Sequence, residues 1–239
     1  MIQQKVEIRF EKSEAIRFIS HHDLMRALGR AVRRAGLPVR LTEGFNPRPR
    51  LVLPVALEVG VASLDEAAEI EFTQCLSTQE VFVRLSSVFP PGLLLKTVRE
   101  LPPRRAGQTV RRILYRLHLA EAALTVTAAQ IQNLLAQTTL PFQRPREKRM
   151  QSVELRPALA ELKAVDGGDL LAAVSPGPKG SARPLEILSL LLNRPLQNLR
   201  HVRIVKLQSE LEPAPELTPE ALRERELLLR REAEADDPA

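Results

Sequence analysis

Twice along this chain an apolar–polar alternation is followed by a capped helix, extended segments, a second capped helix and a closing strand. That recurring order restricts the fold more than any composition figure does. The first copy opens at residues 3–10, where Val6, Ile8 and Phe10 alternate with Lys5, Glu7 and Arg9, the period of a half-buried strand. Ser20 then stands as an N-cap, with Asp23 as its capping-box partner, before a stripe of Leu24, Leu28, Ala31 and Ala35. Gly36 and Pro38 end that helix. Val39 to Leu41, Leu51 to Val59 and Ala67 to Phe72 read as strands. Ser77 and Glu80 open a helix to about Phe89, stopped by Pro90-Pro-Gly92, and Leu93 to Val98 reads as the closing strand.

The turn-rich, charged segment Pro102-Pro-Arg-Arg-Ala-Gly107 marks the expected boundary, after which the pattern returns. Arg112 to Leu119 is a strand, and Thr127 caps a helix to Gln137. Phe142 to Arg149 and Val153 to Val165 are extended, and Leu170 to Val174 pairs back across Asp166-Gly-Gly-Asp169, a strong hairpin signal. Pro184 opens a helix to Leu192 from its first position, and Val202 to Leu207 closes the set. The expected class is α+β: two tandem ferredoxin-like (βαββαβ) units with antiparallel sheets over residues 1–101 and 108–211, followed by an acidic helical or disordered tail over 212–239.

Charge is placed unevenly. The chain carries a formal +6, yet from Glu212 onward there are nine acidic residues and only four Arg, so the body before the tail is far more basic than the total. Arg dominates that body, and its planar fork suits phosphate oxygens and stacking on bases. With one Tyr, no Trp and seven Phe, the aromatic sheet surface of an RRM is not supported, and phosphate and shape recognition is expected over base reading. One cysteine, Cys75, excludes an internal disulfide, a four-Cys zinc site and a three-Cys iron–sulfur cradle, so no cofactor of the chain's own is expected. The longest strongly apolar stretches run about ten residues, against the roughly 18–20 of a membrane helix. Residues 1–20 are charged throughout, unlike a signal peptide. A soluble, cytoplasmic protein without membrane contact is expected.

Four segments could carry chemistry. Ser20-His21-His22-Asp23 places two imidazoles at a helix N-terminus, where the dipole favours the neutral base; beside an arginine, His21 could serve metal-free cleavage of RNA through the ribose 2′-hydroxyl. Glu43-Gly-Phe-Asn-Pro-Arg-Pro-Arg50 combines a turn-forming Gly44 and Asn46-Pro47 with Arg48, Arg50 and a stacking-competent Phe45. Ser175 to Pro184 leads into a helix, so Lys179, Gly180, Ser181 and Arg183 could converge on a phosphate, although the order is not that of a Walker A loop. Arg144, Arg146, Lys148 and Arg149 form a further basic run expected on an exposed strand or loop.

Arg9-Phe10, Arg17-Phe-Ile-Ser-His21, Asp23-Leu-Met-Arg-Ala27, Arg33-Arg-Ala-Gly-Leu-Pro38 and Glu43-Gly-Phe-Asn-Pro-Arg48 fall in order, followed by Val153-Glu-Leu-Arg-Pro157 and Gly180-Ser-Ala-Arg-Pro184. Together these motifs, over about residues 3–208, resemble the radical SAM-linked (radical SAM-associated) protein family, a bacterial domain of unknown function. The resemblance implies a partner: a radical SAM protein of the B12-binding type, which would carry the iron–sulfur cluster, S-adenosylmethionine and cobalamin. It also implies a genomic setting near a ribonuclease of the E/G type and ribosomal protein genes, hence an RNA-related accessory role toward tRNA or rRNA. His22 stands where that family usually has Leu, which leaves His21 as the residue matching the motif. The tandem arrangement is similar, in architecture alone, to the RAMP superfamily of CRISPR repeat-processing endoribonucleases.

The expectation drawn from all this is a non-catalytic RNA-binding accessory protein. Its basic surface would be built by Arg17, Arg26, Arg30, Arg33, Arg34, Phe45, Asn46, Arg48, Arg50 and the Lys179 to Arg183 loop. Two alternatives stand beside it. One is a metal-independent endoribonuclease with His21 as general acid or base and Arg17 or Arg48 steadying the phosphate; the other is a protein adaptor for a radical SAM enzyme that touches no RNA.

Overall fold

The computed structural model describes residues 3–43, 45–102, 107–146, 149–176 and 181–212. Over these residues the protein is mixed α+β, with strands paired mostly antiparallel and few helices. They form two compact units. One is built from residues up to Val59 together with Asp65–Thr109 and Glu212, the other from Gly60–Leu64 and Val110–Leu211.

In the first unit β1 (Gln4–Lys12), α1 (His21–Arg34), β2 (Leu51–Val52), β3 (Val61–Phe72), α2 (Thr78–Ser86) and β4 (Leu93–Leu101) follow one another, and the strands lie side by side in the order β4-β1-β3-β2. β1 runs antiparallel to β4, with Ile8 opposite Val98. The helices lay their apolar stripes on one face of this sheet. Val6, Ile8 and Phe10 of β1 meet Leu24, Leu28, Ala31 and Val32 of α1, Val81 and Leu85 of α2, and Ile70 and Phe72 of β3. Each of these Val, Leu, Ile and Phe side chains taken fully out of water contributes about 1.5–3 kcal/mol.

The opposite face of β1 departs from the expected half-buried strand. Lys5 and Glu7 are as buried as the apolar residues, and so are Glu69 and Glu71 of β3. Burial is tolerated because each charge meets an opposite one. Lys5 pairs with Glu69, and Arg40 and Arg50 reach Glu71 at 3.3 and 3.5 Å. Glu7 accepts from Arg99 (2.7 and 3.1 Å), Arg9 (3.0 Å) and Gln108 (2.6 Å). Burial alone pushes the Glu7 carboxyl up, but the Arg99 hydrogen bond, with the charge and hydrogen bond of Arg9 and the Gln108 contact, outweighs it and holds the group below its ordinary value.

Two segments expected as strands are mostly irregular. Val39 and Leu41 make single bridges, to Phe72 and Pro49, and of Leu51 to Val59 only the first two residues form β2. Pro54 has no N–H to continue the ladder. Leu53, Val55 and Leu57 are buried without being in a strand. β3 in turn begins earlier than the alternation from Ala67 indicated, because its first residues pair elsewhere.

In the second unit β5 (Thr109–His118), α3 (Ala128–Leu135), β6 (Pro141–Arg146), β7 (Arg149–Glu154), β8 (Leu159–Val165), β9 (Asp169–Val174), α4 (Pro184–Leu192) and β10 (Arg203–Glu212) give a sheet ordered β10-β5-β9-β8. β10 also lies parallel to Val61–Ser63 at the start of β3, with Ile204 opposite Val61, a parallel pairing where antiparallel sheets were expected. The β8–β9 turn has Gly167 and Gly168 at φ +82° and +78°, the left-handed backbone that Asp-Gly-Gly-Asp signalled. β6 and β7 form a separate hairpin. Of the basic run placed on this hairpin, Arg144 is largely buried and serves structure. Its guanidinium makes a forked pair with the buried Glu186 of α4 at 2.6 and 2.7 Å and donates to the Ser181 carbonyl. Lys148 lies outside the described residues.

Candidate nucleic-acid interface

The site is assembled in the first unit around α1. Lys12 begins it. The two-residue period of β1 puts Lys12 on the same side as Val6, Ile8 and Phe10, and its buried ammonium donates to the carbonyls of Arg17 (2.9 Å) and Ile19 (3.5 Å). The chain entering α1 is thereby fixed from below. Ser20 caps the helix as expected: its Oγ accepts the Asp23 N–H at 3.1 Å and donates to the Asp23 carboxylate at 2.7 Å. At the other end Gly36 takes φ +62° and lets the chain leave.

The buried stripe of α1 leaves Arg26, Arg30 and Arg33 exposed on one face at i, i+4 and i+7. The loop of residues 42–50 is held along this face. Its neck is tied three times: the Thr42 N–H donates to the Arg48 carbonyl (2.8 Å), the Arg48 N–H to Thr42 Oγ1 (3.0 Å), and the Arg50 N–H to the Arg40 carbonyl (2.7 Å). A hydrogen bond fastens it to the helix, and a proline lies beside a helical glycine. Arg33 donates to the Pro47 carbonyl at 2.6 Å, and Pro49 lies so near Gly29 that a Cβ there would sit 3.7 Å from its ring. Arg48 lies between those two prolines, with its side chain exposed. Phe45 and Asn46 stand at the tip, and Phe45 is 102 % exposed.

The predicted residues therefore divide. Arg26, Arg30 and Arg33 share one exposed face of α1, and Phe45, Asn46 and Arg48 are exposed on the loop that Arg33 ties to it. Arg50 does not project as the loop's composition suggested; it turns inward onto Glu71 with only 13 % of its side chain exposed. Arg17 is occupied by Glu14 at 2.6 Å and stacks over the Phe18 ring at 4.5 Å. Arg34 donates to the Val88 carbonyl after α2. In the second unit, the carboxylate of Glu186 accepts the Arg183 N–H at 3.0 Å, so the opening of α4 is already partly filled by the chain's own anion, while the Arg183 guanidinium remains exposed. The hydroxyl of Ser181 donates to the Ala182 carbonyl at 3.2 Å, and Lys179, Gly180 and Gly44 lie outside the described residues.

His21 opens α1 with Nδ1 buried and, among the described residues, no hydrogen-bond partner for that atom. Burial, then the neighbouring His22, lowers its pKa, partly offset by the buried carboxylate of Glu66, so the ring is neutral at pH 7. Among the described residues no cluster of three or more His, Cys, Asp or Glu is placed to hold a metal ion, and no helix is long and apolar enough to cross a membrane.

Sequence reasoning missed Lys12, Thr42, Gly29 and a cluster in the second unit. There His118 Nδ1 lies 2.9 Å and Arg116 Nε 2.7 Å from the buried Asp169, while Arg203 pairs with Glu121 at 2.6 Å. Lys12 could have been found from its register in β1. The others depend on contacts that no local pattern announces.

Residues 5–184 match a family described as an uncharacterized protein conserved in bacteria (DUF2344). The chain belongs to this family. The matched segment contains all of α1, its loop and the predicted arginines. No curated protein matches the sequence. A crystal structure of an unknown protein from Galdieria sulphuraria is similar at 12 % identity, over 89 % of this chain and 99 % of that one. Its TM-score of 0.27 is too low to bear on the fold of this family member.

Proposed function

We propose that this protein is an RNA-binding accessory factor of a radical SAM system, engaging tRNA or rRNA through the arginine face of α1 and its clamped loop. One observation carries the reading: Arg26, Arg30 and Arg33 share an exposed helix face, and four hydrogen bonds hold the loop that carries Arg48 and Phe45, one of them donated by Arg33 of that face. Exposed guanidinium groups pre-positioned on a rigid element suit a polyanion, and Arg suits phosphate. The strand orders β4-β1-β3-β2 and β10-β5-β9-β8 support reading each unit as a ferredoxin-like plan, the second with a hairpin inserted. The radical SAM link rests on the motif resemblance, as does the architectural likeness to RAMP endoribonucleases.

The test is crosslinking in cells with sequencing of the recovered RNA, against an Arg30→Glu/Arg48→Glu control. Enrichment of one tRNA or rRNA segment, lost in the control, is the expected result. No RNA above background, with co-purification of a radical SAM enzyme that survives nuclease and high salt, overturns it in favour of an adaptor. Cleavage of structured RNA in EDTA that His21→Ala abolishes overturns the non-catalytic part.

A further inference from the structure

A lone exposed apolar side chain means little by itself on a protein surface. Phe45 differs in how it is held. It stands at the tip of a loop whose neck is closed by three hydrogen bonds and which Arg33 of α1 holds at the Pro47 carbonyl, two residues from Phe45, so the loop that presents the ring is tied on both sides of its tip. It is fully exposed, and no ring or cation contact covers it among the described residues. Phe18 is the contrast: though also exposed, it already carries the Arg17 guanidinium 4.5 Å above its ring. Arg48 follows three residues after Phe45 in the same exposed loop, Glu43 stands two before it, and Arg33 of α1 holds the loop at the Pro47 carbonyl. An aromatic plate on a loop that also carries and meets guanidinium groups matches the two faces of a nucleotide, a flat base and an anionic phosphate.

A base in a duplex is stacked on both sides and offers no free face, whereas an unpaired base does. We infer that Phe45 is a stacking platform for an unpaired base, so that the ligand of this face is a single-stranded or looped segment of RNA and not a continuous helix. This rests on the RNA reading above and narrows it. Stacking is tolerant of base identity, so it agrees with recognition dominated by phosphate and shape.

The chain has no Trp, which makes Phe45→Trp a unique reporter in the full-length protein. Three probes are titrated: a single-stranded oligoadenylate of about 12 nucleotides, a blunt RNA duplex of similar length, and heparin, a polyanion without bases. Binding is followed by anisotropy of the labelled probe, stacking by quenching of the emission of the introduced indole. The expected result is quenching on the single strand, none with heparin or duplex, and a loss of single-strand affinity of roughly 5- to 100-fold in Phe45→Ala. Far-UV circular dichroism of both variants confirms that the fold is kept. Single-strand binding without quenching, or equal loss on strand and duplex, overturns the inference while leaving the RNA reading intact. Failure of the unsubstituted protein to bind any RNA overturns that reading itself. If Phe45→Ala keeps its RNA affinity but loses a co-purifying protein, the ring is a protein contact and the inference falls.

Discussion

Arg48 and Arg50 are two residues apart in one loop and look equivalent in sequence, yet the structure gives them opposite surroundings, and that difference is measurable. Arg26, Arg30, Arg33 and Arg48 are exposed around α1. Among the described residues their one ion pair, Arg26 with Asp23 at 3.5 Å, is itself exposed and worth little. If all four meet phosphates of a single strand, the slope of log affinity against log salt is about −2.8, so raising salt from about 50 to 200 mM weakens binding roughly 50-fold. Arg48→Ala removes one contact and brings the slope to about −2.1, cutting the same salt penalty to roughly 20-fold. It touches no ion pair among the described residues, so the melting temperature stays put. Arg50→Ala does the reverse. Arg50 is not available to a phosphate, so the slope stays near −2.8, but the buried Glu71 keeps only Arg40 and stability falls by about 1–3 kcal/mol. The assay is fluorescence anisotropy of a labelled single-stranded RNA at several salt concentrations, with thermal unfolding of each variant beside it. Equal slopes for Arg48→Ala and the parent, or a reduced slope for Arg50→Ala, would refute the assignment of the face.

Glu7 sets an acid limit: its carboxyl is held below the ordinary value, so the stability it contributes is complete above about pH 4.3 and is lost as pH falls through the lower folded-state value. Glu7→Gln should therefore lower stability by about 3 kcal/mol or more at pH 7 and flatten the acid side of the profile, read by urea unfolding across pH 7 to 3. Gly92→Ala should cost more than the usual glycine replacement, because φ is +84° and a Cβ would lie 2.8 Å from Ile16 Cγ2; a fall in melting temperature checks it. Gly29→Ala, in contrast, meets Pro49 at an ordinary 3.7 Å inside a helix, so it should raise stability by about 0.5–1 kcal/mol and leave RNA affinity unchanged.

Local chemistry made much of this fold legible. Caps at Ser20, Ser77 and Thr127 are where the spacing of Ser and Thr to the following polar residue put them, because an N-cap satisfies donors within its own turn. Asp166-Gly-Gly-Asp169 dictates a hairpin for the same reason: the constraint is inside four residues. Legibility failed where partners are distant. Lys5, Glu7 and Arg9 follow the alternation of an exposed strand face, and only Glu69, Arg99 and Gln108, far along the chain, turn that face inward. Arg144 looked like one member of a solvated basic run until Glu186 claimed it. The inward turn of Arg50 depends on Glu71 in the same way.

The contrast bears on what an arginine count means. Five of the arginines, Arg9, Arg99, Arg40, Arg50 and Arg144, are engaged by the buried Glu7, Glu71 and Glu186, which makes buried polar faces tolerable. The arginine count therefore overstates the surface available to a polyanion, and the residues that matter are those left exposed on an element held rigid by others. That condition selects α1. Its start is pinned by Lys12, its end is released by Gly36, and its exposed face is extended by a loop that Arg33 ties to it at Pro47. Lys12 is then the residue by which structure and proposed binding are coupled without contact. Lys12→Met keeps the volume and loses the donor to the Arg17 and Ile19 carbonyls, so the helix entry loosens while every arginine of the face remains. RNA affinity should fall several-fold with the salt slope unchanged, since the number of phosphate contacts is the same and only their pre-organisation is lost. A change in slope would instead mean that the face comes apart when its anchor does.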